Sequence, residues 1–169
     1  MQPTSTQQFP TPTLHLVCGK IASGKSTLTN QLASAPHTVR ISEDSLLAQL
    51  YPGQISSLAD YVAHAARLRA AMQPLCLQML QAGVSVVLDF PANTVASRAW
   101  MRELAEQSGV PHLLHFLDVA DAVCKARLRQ RNADGKHPFQ TSEEQFDAIT
   151  RHFVPPSTEE GFVIVRVDS

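Results

Sequence analysis

The chain has 169 residues, 44% hydrophobic and 17% charged, with a formal net charge of −1. That is a globular composition of single-domain length, with enough apolar side chains to bury a real core. The neutral balance excludes a global electrostatic attraction to nucleic acid or to an anionic membrane, and leaves only a local basic groove as a route to a polynucleotide.

Residues 1–13 are rich in Gln, Thr and Pro and lack a basic stretch followed by an apolar one. They read as a flexible tail rather than a signal peptide, ahead of one domain over residues 14–169. No apolar run approaches membrane-spanning length. Cys18, Cys76 and Cys124 are far apart, form no C-x-x-C pair and each sit in an apolar stretch. They read as small core residues, and a reducing cytoplasm suits them.

The first strand is Leu14 to Cys18. It leads into Gly19-Lys20-Ile21-Ala22-Ser23-Gly24-Lys25-Ser26, and a helix follows until Pro36. Strand, glycine loop and helix with the spacing G-x-x-x-x-G-K-S make a phosphate-binding loop. Glycines let the backbone curl so that successive N–H groups point at phosphate oxygens, and the helix adds its positive end. Gly19, Ile21, Ala22, Ser23, Gly24, Lys25, Ser26 and Thr27 form the expected nucleotide site. Lys25 reaches the β- and γ-phosphates, and the Ser26 hydroxyl holds Mg²⁺.

A second strand is predicted over Thr38-Val39-Arg40-Ile41, with Ser42 capping a helix through Leu50. Apolar residues at helical spacing predict a long helical region from Ser56 to Ala82 that Pro74 kinks or splits and Gly83 ends. Val84 to Asp89 reads as a third strand, Thr94 to Gln107 as a helix, Pro111 to Asp118 as a fourth strand and Ala120 to Arg131 as a fifth helical region. Residues 132–140 are a polar excursion. Thr141-Ser142-Glu143-Glu144 opens a helix through Phe153, which Pro155-Pro156 stops, and Phe162 to Val167 closes the pattern as a strand. Strands alternating with helices imply a parallel α/β sheet covered on both faces.

Parallel sheets hold ligands at the carboxyl ends of their strands, where Asp44 and Asp89 fall. Asp89 reads as the carboxylate that orients Mg²⁺, with a loop cap as the structural alternative. Asp44 is placed to take the proton of an attacking hydroxyl, against the simpler role of favouring a helix N-terminus. Arg127 and Arg131 share one helical face next to the polar excursion. They read as lid arginines for a transferring phosphoryl group, in a lid over about residues 127–140, rather than as a solvated basic face that would also include Arg129. Arg98 is either a phosphate or substrate contact or a surface residue. His15 reads as packed and Trp100 as core, while His137 lies in the lid, where a nucleotide contact is open. No metal-ligand cluster of His and Cys is present.

The whole resembles the small P-loop kinases grouped with polynucleotide 5′-hydroxyl kinase, zeta toxin and chloramphenicol phosphotransferase. The resemblance rests on Gly19 to Ser26, Ile41-Ser42-Glu43-Asp44, Val86 to Asp89, Arg127 to Asn132, Phe153 to Pro156 and Glu159 to Phe162. It implies a five-stranded parallel sheet in the order 2-3-1-4-5, ATP and Mg²⁺ as cosubstrates, Asp44 as base and an arginine-bearing lid. Polynucleotide kinases carry an arginine one turn after the base, where this chain has Leu47, and zeta toxins carry extra helices for which it is too short. The expectation is an ATP-dependent kinase acting on a hydroxyl of a small molecule, with a polynucleotide 5′-hydroxyl second. A nucleotide-binding switch or ATPase module without an acceptor is the rival from another class.

Overall fold

A computed structural model describes residues 10–136 and 140–168. Five strands form one sheet in the order β2-β3-β1-β4-β5. These are β1 (Leu14–Gly19), β2 (Thr38–Ser42), β3 (Ser85–Asp89), β4 (His112–Leu117) and β5 (Ile164–Val167), and every neighbouring pair is parallel. Consecutive β3 residues Val86, Val87 and Leu88 are all fully buried, which requires cover on both faces of the sheet. The covering helices are α1 (Lys25–Ala33), α2 (Glu43–Leu50), α3 (Leu58–Gln81), α4 (Val95–Ser108), α5 (Asp121–Asp134) and α6 (Glu143–Thr150). The architecture is the three-layer α/β fold expected from the alternating pattern.

Two apolar clusters hold the layers. The larger joins β1, β3 and β4 to Leu47 of α2, to Leu68, Cys76 and Leu80 of α3, and to Met101 and Leu104 of α4. The smaller joins Leu117 and Val119 to Cys124 and Leu128 of α5 and Phe146 of α6. Cys18, Cys76 and Cys124 are buried free thiols within these clusters. Burial pushes Cys18 up to about 11, so it stays a neutral, unreactive thiol.

Pro74 lies inside α3, which runs as a single helix of 24 residues rather than two. Proline removes one intrahelical bond, but Leu68 before it and Cys76 and Leu80 after it bury in the same apolar cluster, and that packing holds both halves in line. The N-terminus of α3 carries a full capping box between Ser57 and Asp60. The predicted fourth helix is confirmed with Thr94 and Ser97 as its box and Gly109 as its left-handed end. Helix α5 runs on to Asp134, three residues past the predicted end, and Gly135 closes it. Helix α6 is shorter than predicted and ends at Thr150, while β5 begins at Ile164 rather than Phe162. Of the predicted tail, residues 1–9 lie outside the described residues. Thr13 is already docked, with its N–H on the Ser85 hydroxyl and its carbonyl accepting from Val86.

The register sets the site. β2 and β3 end level, with Ser42 opposite Asp89, and β1 ends with Gly19 opposite Leu117 of β4. The loop after β1, the start of α2 and the end of β3 therefore meet at the carboxyl edge of the sheet.

Candidate active site

The loop after β1 is built by local backbone chemistry. Gly24 has φ +105°, and the non-glycine Ala22 also lies in the left-handed region at φ 58°. A side chain at Gly19 would bring its Cβ within 2.5 Å of the Ser23 hydroxyl and 3.2 Å of the Leu117 carbonyl, so the close turn requires glycine there. Lys25 Nζ donates to the carbonyls of Gly19 and Lys20, each at 2.7 Å. Burial pulls the Lys25 ammonium below its ordinary value, and the Asp89 carboxylate leads the opposing charges. No side chain caps α1, whereas Ser42, Ser57, Thr94 and Ser142 cap α2, α3, α4 and α6. The first-turn N–H groups of α1 are left for an anion or for water.

One cleft of about 1050 Å³ opens in front of this loop. Its walls bring together Ile21, Ala22, Gly24, Lys25, Ser26 and Thr27 with Asp44, Asp89, Arg127 and Arg131. Gly19 and Ser23 are buried and shape the loop without lining the cleft.

Asp44 is the second residue of α2 and sits on the cleft wall, while its neighbour Glu43 is fully buried on the other side of the helix. Glu43 accepts from the Tyr61 hydroxyl at 2.5 Å and from Arg69 at 3.0 Å, both on α3. Its charge and its pull on the phenol, together with burial, raise the Tyr61 pKa above its ordinary value, burial contributing most.

Asp89 is ion-paired with Arg40, whose Nε also donates to the Thr29 hydroxyl at 3.0 Å. It caps no helix, since Thr94 does that for α4. Arg127 donates to the Ser23 carbonyl at 3.2 Å and so ties α5 to the loop. Arg131 has a buried Nε with no hydrogen-bond partner among the described residues. Burial lowers its pKa, and Asp44 opposes that shift. Arg129, by contrast, is exposed and paired with Glu143 on the surface.

Arg98 contradicts both expectations for it. It is neither at the surface nor at the cleft but fully buried, paired with Glu160 and donating to the carbonyls of Ala92 and Val154. It clamps the segment after α6 onto α4. Trp100 packs against the larger cluster and donates to Gln73, as a core residue does. His15 is half-buried in β1, where its Nδ1 lies 3.1 Å from Nε2 of His115. His137 lies outside the described residues.

Sequence reasoning passed over Arg40, Glu43, Tyr61 and Arg69. Arg40 carried a signal, because a strand alternates sides every residue and Arg40 shares the side of Ser42, two positions on. Glu43 carried none. An acidic pair at a helix start is ordinary, and only packing decides which member turns inward.

The donor set suits nucleotide and metal. Lys25, which donates to two loop carbonyls, and the Arg131 Nε, which has no partner among the described residues, are both suited to oxyanions. Ser26 and Asp89 are hard oxygen donors on the same cleft, and no group of three or more His, Cys, Asp or Glu able to hold a metal occurs among the described residues. Two hard oxygen donors suit Mg²⁺, which takes few protein ligands and completes its shell with phosphate and water.

Among solved structures, the chain is similar to a candidate kinase from Chloroflexus aurantiacus j-10-fl, with a TM-score of 0.72 at 22% identity over 94% of this chain and 89% of that one. It is similar to a chain of the Pnkp1/Rnl/Hen1 RNA repair complex, with a TM-score of 0.64 at 15% identity over 87% and 45% of the two chains. The Mycobacterium tuberculosis APS kinase in complex with AMPPNP and APS gives 0.60 at 19% identity over 94% and 89%. At these identities the likeness establishes the fold. No curated protein matches the chain. The AAA-domain family model matches residues 14–156, from the first strand through the end of the proline pair, and on that match the chain belongs to the AAA-domain family, with its P-loop at Gly19 to Ser26.

Proposed function

We propose that the protein is an ATP-dependent kinase that transfers the γ-phosphoryl group to a hydroxyl of a small-molecule acceptor. The observation that carries the reading is a cleft that gathers the P-loop, two carboxylates and two arginines from four separate segments of the chain. A loop that only bound nucleotide would have no use for Asp44 on the far wall. ATP with Mg²⁺ supplies the activated phosphoryl group when bound.

The chain's own groups divide the remaining work. The loop amides and Lys25 hold the β- and γ-phosphates, and Lys25 exchanges its two backbone carbonyls for phosphate oxygens. Ser26 and Asp89 hold the metal, and Arg40 keeps the Asp89 carboxylate oriented. Asp44 accepts the acceptor hydroxyl proton. Arg127 and Arg131, both carried on α5, place positive charge beside the transferring group. Nucleotide binding by a similar fold is seen in the APS kinase with AMPPNP, which supports the donor half of this reading. A polynucleotide acceptor is disfavoured by Leu47, which is buried at 3% exposure and belongs to the core at the position where an arginine would meet a substrate phosphate.

The test is ATP turnover with and without a pool of metabolite alcohols. Acceptor-dependent transfer is expected, and Asp44→Asn should lower it by roughly 10²–10⁴-fold while ATP affinity stays within a few-fold. Turnover that ignores every acceptor but responds to a partner protein would sink the kinase in favour of a switch.

A further inference from the structure

The cleft changes character across its width. On the donor side stand Lys25, Arg127 and Arg131. On the opposite side, formed by α2, the segment after it and the first turn of α3, stand Leu47, Ala48, Tyr51, Pro52, Ile55 and Tyr61, with the uncharged Ser45 and Gln49 as its polar members. Arg131 stands at the reacting end, near Asp44, and the other two cations near that wall are already paired. Arg40 is paired with Asp89 and with Thr29, and Arg69 is paired with the buried Glu43. Tyr61 gives its hydroxyl to Glu43, so the ring is what it offers to the cleft. Tyr51 packs its ring against His64. The same helix ends carry Leu50, Leu58 and Val62 exposed at 55%, 78% and 57%, so the apolar character continues outward along α2 and α3.

We propose that the acceptor is an uncharged alcohol with an apolar body, which lies against Leu47, Tyr51, Ile55 and Tyr61 and presents its hydroxyl to Asp44. The proposal rests on the kinase reading and adds to it the class of the acceptor. A carboxylate or phosphate on the acceptor would lose its water against this wall and find no unspent cation among the described residues lining it. An apolar body gains from the same burial, and it needs only one polar atom, the reacting hydroxyl, which Asp44 satisfies. In the transfer, the acceptor oxygen bonds to the γ-phosphorus as the bond to the β-γ bridging oxygen breaks. The hydroxyl proton passes to Asp44, and the products are the phosphate monoester and ADP.

Matched probes test this. Phenylpropanol and phenyllactate share a similar body and hydroxyl, but the second carries a carboxylate. Gluconate and a short oligonucleotide with a free terminal hydroxyl extend the anionic set. Binding to protein loaded with Mg²⁺ and AMPPNP is followed by amide NMR, and transfer is followed with labelled ATP. Phenylpropanol should shift the amides of Leu47, Ala48 and Tyr51 and bind at least tenfold more tightly than phenyllactate. Ala48→Arg, at an exposed position on this wall, should narrow that ratio at least tenfold, and Ala48→Glu should widen it. Tighter binding of the anionic probes overturns the proposal, above all if Arg131→Gln selectively raises their KM, because Arg131 would then serve the acceptor. In that case transfer to the anionic probe leaves the kinase reading standing. If phenylpropanol binds as described but no alcohol in either set is phosphorylated, the kinase reading fails while the preference of the wall is upheld.

Discussion

At the scale of single residues, burial decides which charges are available for work. Arg98 and Arg131 look alike in the sequence, each an arginine on a helix after a strand. Arg98 is saturated by Glu160 and three backbone carbonyls, whereas the Arg131 Nε has no partner among the described residues and lines the cleft. Replacing Arg131 by Ala should cut phosphoryl transfer by roughly 10²–10³-fold with little change in ATP affinity, as read from single-turnover rates and equilibrium nucleotide binding. The His15–His115 pair makes a separate, pH-linked prediction. Burial, and then the neighbouring His15, lower the His115 pKa from 6.5 to about 4. Between those values the unfolded chain binds the proton and the folded one does not, so stability is full above the upper value and is lost as pH falls toward the lower. Urea midpoints should drop across that window by an amount equivalent to at most about 3 kcal/mol, and His115→Gln should flatten the slope.

At the scale of elements, α2 links the core to the site. Successive helical residues point about 100° apart, so the adjacent acids Glu43 and Asp44 face different ways, one toward α3 and one into the cleft. The Glu43–Tyr61–Arg69 network thereby fixes the rotation of α2 and the position of Asp44. Glu43→Ala leaves a phenol and a guanidinium without their acceptor. Since the Arg69 side chain is 24% exposed, the cost should fall near the lower end for a broken buried pair, about 3 kcal/mol by urea denaturation. The ion pair of Arg98 with Glu160 does the same for the segment after α6, but with the arginine fully buried. Glu160→Gln should therefore cost at least as much, and it should do so without altering the affinity for ATP.

At the scale of the whole molecule, the strand order places β1 between β3 and β4, so the P-loop stands at the middle of the carboxyl edge, within reach of groups from both sides. A ligand that binds only the folded state must raise its stability by mass action. ATP with Mg²⁺ at 100 times its Kd adds about 2.7 kcal/mol, which for a chain of this size is a Tm rise of roughly 5–10 °C. Lys25→Ala should remove that rise in a thermal melt while leaving the melt without nucleotide nearly unchanged in cooperativity. If the rise survives the substitution, the donor half of the site has been misplaced.

Local chemistry alone determined a great deal here. The phosphate-binding loop, the alternation of strands and helices, the cap at Ser42 and the positions of Asp44 and Asp89 at strand ends all follow from spacing, propensity and backbone freedom within a few residues. Element lengths were less legible, as α3 shows: the missing bond at Pro74 is a local fact, but the packing of Leu68, Cys76 and Leu80 that outweighs it is not. Partner choice was not legible at all. Arg40 meets Asp89 across 49 positions, Glu43 meets Arg69 across 26 and Arg98 meets Glu160 across 62. Only the folded tertiary structure brings those charges out of water and side by side, and burial then compels each to pair. The same tertiary arrangement decides which charges face the cleft, Lys25, Asp44, Asp89, Arg127 and Arg131 among them, and which, like Arg98, are spent in the core.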